Sequence, residues 1–129
     1  MQQEYVRRYG GFDEAPIDTA EFAGPGGRFV MAYVDGEPAA MGGWRRHGAE
    51  AEIKRMYVRP AFQRRGLARI VLAELERSAL EAGVTRLILE TGNAQPEAIA
   101  LYRSAGYVGI DAFGFCAHGG ISVHLGKDL

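Results

Sequence analysis

The stretch Glu52–Ala68, EIKRMYVRPAFQRRGLA, constrains the fold more than any other part of the chain. Alternating apolar residues lead through Arg59-Pro60 into the basic run Gln63-Arg64-Arg65-Gly66-Leu67-Ala68, and apolar residues at helical spacing follow. A strand, a basic glycine-containing loop and a helix N-terminus in this order make a unit suited to holding phosphates. First-turn N–H groups have no acceptor inside the helix, and the helix dipole is positive at that end. Gly66 lets the backbone approach a ligand closely, and Ala68 keeps the next turn free of bulk. The spacing predicts a helix over Gly66–Ala82 with Leu67, Ile70, Val71, Leu75 and Ala79 on one face, stopped by Gly83. Thr85–Glu90 (TRLILE) reads as a buried strand, and the intervening helix makes it parallel to the strand before the loop.

Upstream, the pattern is that of hairpins. Arg28–Val34 and Pro38–Arg46 are strands joined by Asp35-Gly36, a strong two-residue turn signal. His47-Gly48 makes a second turn into the strand Glu50–Val58. Residues 1–10 read as the end of an amphipathic helix (Tyr5, Val6, Tyr9), and residues 11–27, with Pro16, Pro25 and several glycines, as a loop. Downstream, Pro96–Ser104 is a short helix with proline in its first turn and Gly106 after its end, and residues 107–110 and 121–125 supply two final strands. The order β-β-β-α-β-α-β-β predicts one α+β domain over residues 1–129. Its sheet is mixed but mostly antiparallel, with a central parallel strand pair and flanking helices.

Net charge is −1 over 129 residues, but the charge is uneven. Arg45 to Arg69 holds eight Lys/Arg against Glu50 and Glu52. Such polarity suits a small polyanion bound at one place, and it lacks the broad basic face that nucleic acid requires. No apolar run approaches the ~20 residues of a membrane span, and the N-terminus MQQEYVRRYGG has no signal-peptide core. A single cysteine, Cys116, excludes an internal disulfide and fits a reducing cytoplasm. No His, Cys, Asp or Glu spacing resembles a metal site. His47, at a hairpin end, and His118, in a glycine-rich loop, read as exposed polar residues, His124 as packed or edge-facing, and Trp44 as core.

Two segments resemble the GNAT family of N-acetyltransferases. Gln63-Arg64-Arg65-Gly66-Leu67-Ala68, after the strand Met56-Tyr57-Val58, is similar to the family's acetyl-coenzyme-A signature Q/R-x-x-G-x-G/A. Asn93 through Tyr107 (NAQPEAIALYRSAGY) is similar to its N-x-x-A-x-x-L-Y-x-x-x-G-F/Y segment. The resemblance covers roughly residues 28–125. It implies a GNAT domain whose first strand is missing or reduced, since family members place a strand and helices before the first hairpin. An open Arg28–Val34 edge predicts cover from a second subunit, hence a homodimer, or from a rearranged N-terminus.

The resemblance further implies acetyl transfer from acetyl-CoA, as co-substrate, to an amine. Backbone N–H groups of residues 64–69 cradle the pyrophosphate, with Arg64, Arg65 and Arg69 adding charge. The coenzyme's amide-rich arm pairs with the backbone of Met56 and Val58, and the Met56 N–H meets the acetyl oxygen as oxyanion donor. Tyr102 protonates the departing thiolate, and Asn93 hydrogen-bonds the coenzyme arm. The amine needs a base, because an alkyl ammonium is mostly protonated at neutral pH. Glu52 lies on the Met56 face if period-two alternation holds, with Glu50 and Glu90 as competitors. The acceptor expected is a small molecule; a weak coenzyme-A-binding module and a peptide or protein acetyltransferase are the alternatives. The run 113–120 could shape an apolar acceptor pocket.

Overall fold

The computed structural model describes residues 4–9, 26–92, 96–110 and 122–129, with residues 4–9 described by their backbone alone. In chain order the elements are β1 (Glu4–Tyr9), β2 (Gly27–Val34), β3 (Glu37–His47), β4 (Glu50–Val58), α1 (Leu67–Glu81), β5 (Arg86–Gly92), α2 (Pro96–Ser104), β6 (Val108–Gly109) and β7 (Ser122–Asp128). The described strands form one mixed sheet in the order β1-β2-β3-β4-β5-β7-β6. Only β4 and β5 run parallel, as a strand–helix–strand unit requires.

The N-terminus departs from expectation. Residues 4–9 are a strand, not a helix end, and pair antiparallel with β2 from Glu4↔Val34 to Tyr9↔Phe29. The first strand is therefore present, and the chain itself covers the edge that called for a second subunit. EYVRRY is too short for its period to decide between strand and helix, and its pairing partners, from Phe29 for Tyr9 to Val34 for Glu4, are distant in sequence.

The Asp35-Gly36 turn forms as read. Val34 pairs with Glu37, and both turn residues take positive φ (51° and 83°), the two-residue geometry that matches the strand twist. α1 packs on one sheet face through Leu67, Val71, Leu72, Leu75, Ser78 and Ala79. Ile70, expected on that face, is exposed, and Leu72 and Ser78 take up the other flank of the stripe.

The core beneath α1 includes Trp44, Ile53, Leu87, Leu89, Tyr102, Tyr107 and Leu125. Trp44 is core, as expected, and its indole N–H donates to buried Ser78 Oγ at 2.9 Å, while Ser78 donates to Leu75 O. Arg46 closes the far end of α1, donating to Ala82 O at 2.9 Å. On the opposite sheet face, Phe29, Met31 and Tyr33 form a second buried cluster with Met41.

Ser78→Ala strands the Trp44 N–H inside the core. It should lower unfolding free energy by about 1–3 kcal/mol in urea titration; a change under a few tenths would mean the indole finds another acceptor.

Candidate active site

The register of β3 on β4 breaks once. Gly43 lies opposite Lys54 but Met41 lies opposite Tyr57, so Arg55 and Met56 together face Gly42. This is a β-bulge, and Arg55 occupies its extra position with left-handed φ, 64°. The side chains change face there. Ala51 and Ile53 point into the core beneath α1, and past the bulge Met56 and Val58 join that same cluster. A Cβ on Gly42 would sit 2.4 Å from Met56 Sδ and 3.2 Å from Val71 Cγ1, so only glycine leaves room for the Met56 side chain. Period two therefore fails between Lys54 and Met56. Glu52, opposite Arg45, lies on the sheet face away from Met56 and α1, contrary to the expectation that the two share a face.

The peptide groups are re-aimed as well. Ala49 O accepts the Thr85 N–H on the β5 side, and the Arg59 N–H donates to Ala39 O on the β3 side. Alternation from these two anchors turns the peptide groups of residues 49, 51 and 53 towards β5, and beyond the bulge those of Met56 and Val58. Yet β4 pairs with β5 only at Glu50↔Arg86, Ala51↔Leu87 and Glu52↔Ile88. On its other edge β5 pairs with β7 along its whole length, from Arg86↔Asp128 to Gly92↔Ser122, so from Leu89 onward β7 is its one paired neighbour among the described residues. Among the described residues, nothing pairs with the β5-facing edge of residues 53–58. The strands part, leaving a cleft into which the Met56 and Val58 peptide groups point.

Next to the cleft stands the basic loop. After a single 3₁₀ turn (Pro60–Phe62), Arg64 and Gly66 both take positive φ (66° and 77°), a geometry that gathers successive N–H groups. A Cβ on Gly66 would meet nothing within 4 Å, so the demand for glycine there is conformational rather than steric. Gly66 is the N-cap of α1, with no side-chain cap and no acidic residue in the first turn. The first helical bond runs from Ile70 N–H to Gly66 O, which leaves the N–H groups of Leu67, Ala68 and Arg69 for another acceptor. Gln63, Arg64 and Arg65 are exposed, and Arg59 and Arg65 both lie over the Phe62 ring at 5.4 Å. The Leu67 side chain is core, and Arg69 reaches Ser104 on α2. Tyr57 is half exposed, opposite Met41.

Tyr102 on α2 is buried in the cluster that also takes Met56, Val58 and Leu67. Its ring meets Tyr107 edge-on at 5.7 Å. No hydrogen bond joins its hydroxyl to another described residue, and burial pushes its pKa up to about 12. Tyr107 is different: its hydroxyl donates to Glu76 Oε2 at 2.8 Å, and Lys127 Nζ lies 3.2 Å from both Glu76 oxygens. Burial first, then Glu76, drives the Tyr107 pKa far upward.

Three carboxylates share the sheet face away from α1, each beside a basic group. Glu50 pairs with Arg86 at 3.1 Å, Glu52 with exposed His47 at 3.5 Å, and Glu90 with buried His124 at 3.6 Å. Asn93, Cys116, His118 and the run 113–120 lie outside the described residues. Sequence reasoning missed Gly42, Arg55 and the Glu90–His124 pair. Gly42-Gly43 inside a strand was the available signal for a bulge; the Glu90↔His124 register comes only from long-range pairing of β5 with β7.

Ultraviolet titration of the tyrosines should find Tyr102 ionising near 12, above the free value of about 10. The folded pKa is raised, so the stability from burying neutral Tyr102 is complete below about pH 10 and is lost as pH rises through about 12. Urea midpoints across that window should fall, and Tyr102→Phe should blunt the fall. Gly42→Ala should cost about 1–3 kcal/mol through overpacking against Met56 and α1, measured by denaturant unfolding.

Known proteins share this fold. The family model for the acetyltransferase (GNAT) family matches residues 1–107. An IAA acetyltransferase of Azospirillum brasilense is 33% identical over 115 residues, covering 88% of this chain and 75% of that protein. A Klebsiella pneumoniae structure assigned as an acyl-CoA N-acyltransferase superposes with TM-score 0.87 at 25% identity, covering 98% of this chain and 97% of the other. A GNAT acetyltransferase from Elizabethkingia anophelis, solved with acetyl-CoA bound, shares the fold with TM-score 0.78 at 19% identity over 98% of both chains. With its parted strands, its uncapped helix N-terminus and a family match over most of its length, the chain belongs to the GNAT family of acetyltransferases.

Proposed function

We propose that this protein transfers the acetyl group of acetyl-CoA to a primary amine of a small molecule by direct attack in a ternary complex. The observation that carries the reading is the parting of β4 from β5 directly beside the uncapped N-terminus of α1. An extended, amide-rich arm ending in pyrophosphate needs such a pair of features: strand-edge peptide groups along its length and helix N–H groups at its anionic end. The backbone of residues 64–69 holds the pyrophosphate, with Gln63, Arg64 and Arg65 at its rim. Met56 and Val58 bind the arm through their peptide groups, and Tyr57 flanks it. Asn93, which follows β5 in sequence, is the family's further partner of that arm.

In the reaction, the ammonium first gives up one proton to a carboxylate on the face away from α1, where Glu50, Glu52 and Glu90 stand. The amine nitrogen then forms its bond to the thioester carbon, and the Met56 N–H donates to the oxyanion. Collapse breaks the C–S bond. The sulfur takes a proton from Tyr102, whose raised pKa keeps its hydroxyl protonated at neutral pH. A second nitrogen proton restores the tyrosine, and the third stays on the amide. Atoms balance, with one proton released to solvent.

Tyr102→Phe should lower kcat by about 10²–10⁴-fold while the calorimetric Kd for acetyl-CoA stays within about threefold. Arg65→Glu should weaken acetyl-CoA binding at least tenfold. Tight binding with no turnover by the unaltered protein on any amine would leave a coenzyme-binding module.

A further inference from the structure

Tyr107 touches the proposed proton donor twice. Its backbone N–H donates to Tyr102 O at 3.0 Å, while the N–H of Gly106, at φ 101°, donates to Arg103 O; this pair of bonds closes the C-terminus of α2. Its ring meets the Tyr102 ring edge-on, the apolar contact that accompanies such a cap. A phenylalanine would serve for both contacts, and the family's segment admits either residue at this position. The hydroxyl needs another reason.

That hydroxyl leads away from α2. It donates to Glu76 Oε2 on α1 at 2.8 Å, and Lys127 Nζ on β7 lies 3.2 Å from both Glu76 oxygens and 5.7 Å from the centre of the Tyr107 ring. The Lys127 stem crosses over Gly106, where a Cβ would meet Lys127 Cε at 3.4 Å. α1, β7 and the end of α2 thus converge on one buried phenol. Burial and the Glu76 carboxylate drive its pKa far upward, so the phenol keeps its proton and its bond to Glu76.

Tyr102 has no such anchor. It is the one buried residue of α2, and no hydrogen bond joins its hydroxyl to another described residue. An acid that must hand over its proton is poorly held through that same group, because any acceptor there competes for the proton. The ring has to be aimed from elsewhere. The aim matters, since about 1 Å of misplacement can cost on the order of a hundredfold in rate. Tyr107, in contact with Tyr102 through both backbone and ring, is anchored where Tyr102 is not.

We infer that Tyr107, tied through its hydroxyl to Glu76 and Lys127, is a positioning residue that holds the Tyr102 ring at the cleft for protonation of the departing thiolate. The assignment rests on the transferase reading above and on Tyr102 as its proton donor. The proton still passes from Tyr102 to sulfur, and Tyr107 acts only through Tyr102.

Steady-state kinetics of the full chain with acetyl-CoA and hydroxylamine, a nucleophile small enough to need no pocket of its own, test the assignment. Tyr107→Phe keeps the ring and deletes only the hydroxyl. It should lower kcat about tenfold or more and leave the calorimetric Kd for acetyl-CoA within about threefold. The same substitution made on top of Tyr102→Phe should lower kcat by less than about twofold, because no proton donor remains to be aimed. A core merely loosened by the substitution would slow both backgrounds alike. Lys127→Met, which keeps the stem over Gly106 and removes the charge, enters the network from its half-buried end and covers the case of a Tyr107 variant that does not fold. It should give a smaller loss that vanishes in the same way. Equal losses in the two backgrounds, or a kcat that Tyr107→Phe and Lys127→Met both leave unchanged, would overturn the assignment while leaving the transferase intact. A Tyr102→Phe variant as fast as the unaltered protein removes the proton donor and its positioning residue together. An unaltered protein that binds acetyl-CoA but does not acetylate hydroxylamine removes the transferase reading and the assignment with it.

Discussion

Three registers of parallel pairing, and no more, join β4 to β5. Buried peptide groups that lose their partners cost free energy, so a strand inside a sheet normally stays paired along both edges. Here β4 runs on for six residues held by β3 alone. The cleft is that unmet pairing. An extended ligand with amides of its own restores the ladder, which explains why a site of this kind sits within the sheet rather than on loops above it.

A cleft that interrupts a sheet needs a frame that does not close on it. The helices supply one through side chains far apart in sequence. Trp44 locks β3 to α1 through Ser78, and Arg46 fixes the C-terminal end of that helix. Glu76 joins α1 to Tyr107 and to Lys127 on β7, while Arg69 ties α1 to α2. The first two brace the zipped half of the β4–β5 pair, and the others brace the elements beyond the cleft. Glu76 and Tyr107 are half-buried or buried, so their contact is less screened than the exposed Arg77 pairs with Glu74 and Glu81, which add little.

Local chemistry made much of this legible. Asp35-Gly36 sets a turn by its own conformational preference, and Gly66 and Gly83 punctuate α1 at both ends. The parallel pair followed from chain order alone. What resisted reading depended on distant partners or on an unmarked conformation. Glu4–Tyr9 becomes a strand because β2 offers an edge, not because its own pattern demands one. Arg55 holds a left-handed φ with no glycine to announce it, so alternation carried Glu52 to the wrong side of the sheet. Ile70 and Leu72 are equally apolar, and only the placement of α1 on the sheet decides which is buried.

The bulge at Arg55 also gives β4 a reading frame. Before it, odd-numbered peptide groups face β5; after it, even-numbered ones do. The strand is thus two segments spliced out of phase. Were the strand to straighten with Arg55 kept, ordinary alternation would turn the Met56 and Val58 peptide groups into the β3 ladder and aim their side chains at the wrong face; with Arg55 removed, the same alternation would leave both as they are. The extra residue is therefore not what sets the phase by its presence alone. The left-handed turn that Arg55 makes is what keeps the strand's two segments facing the cleft as they do.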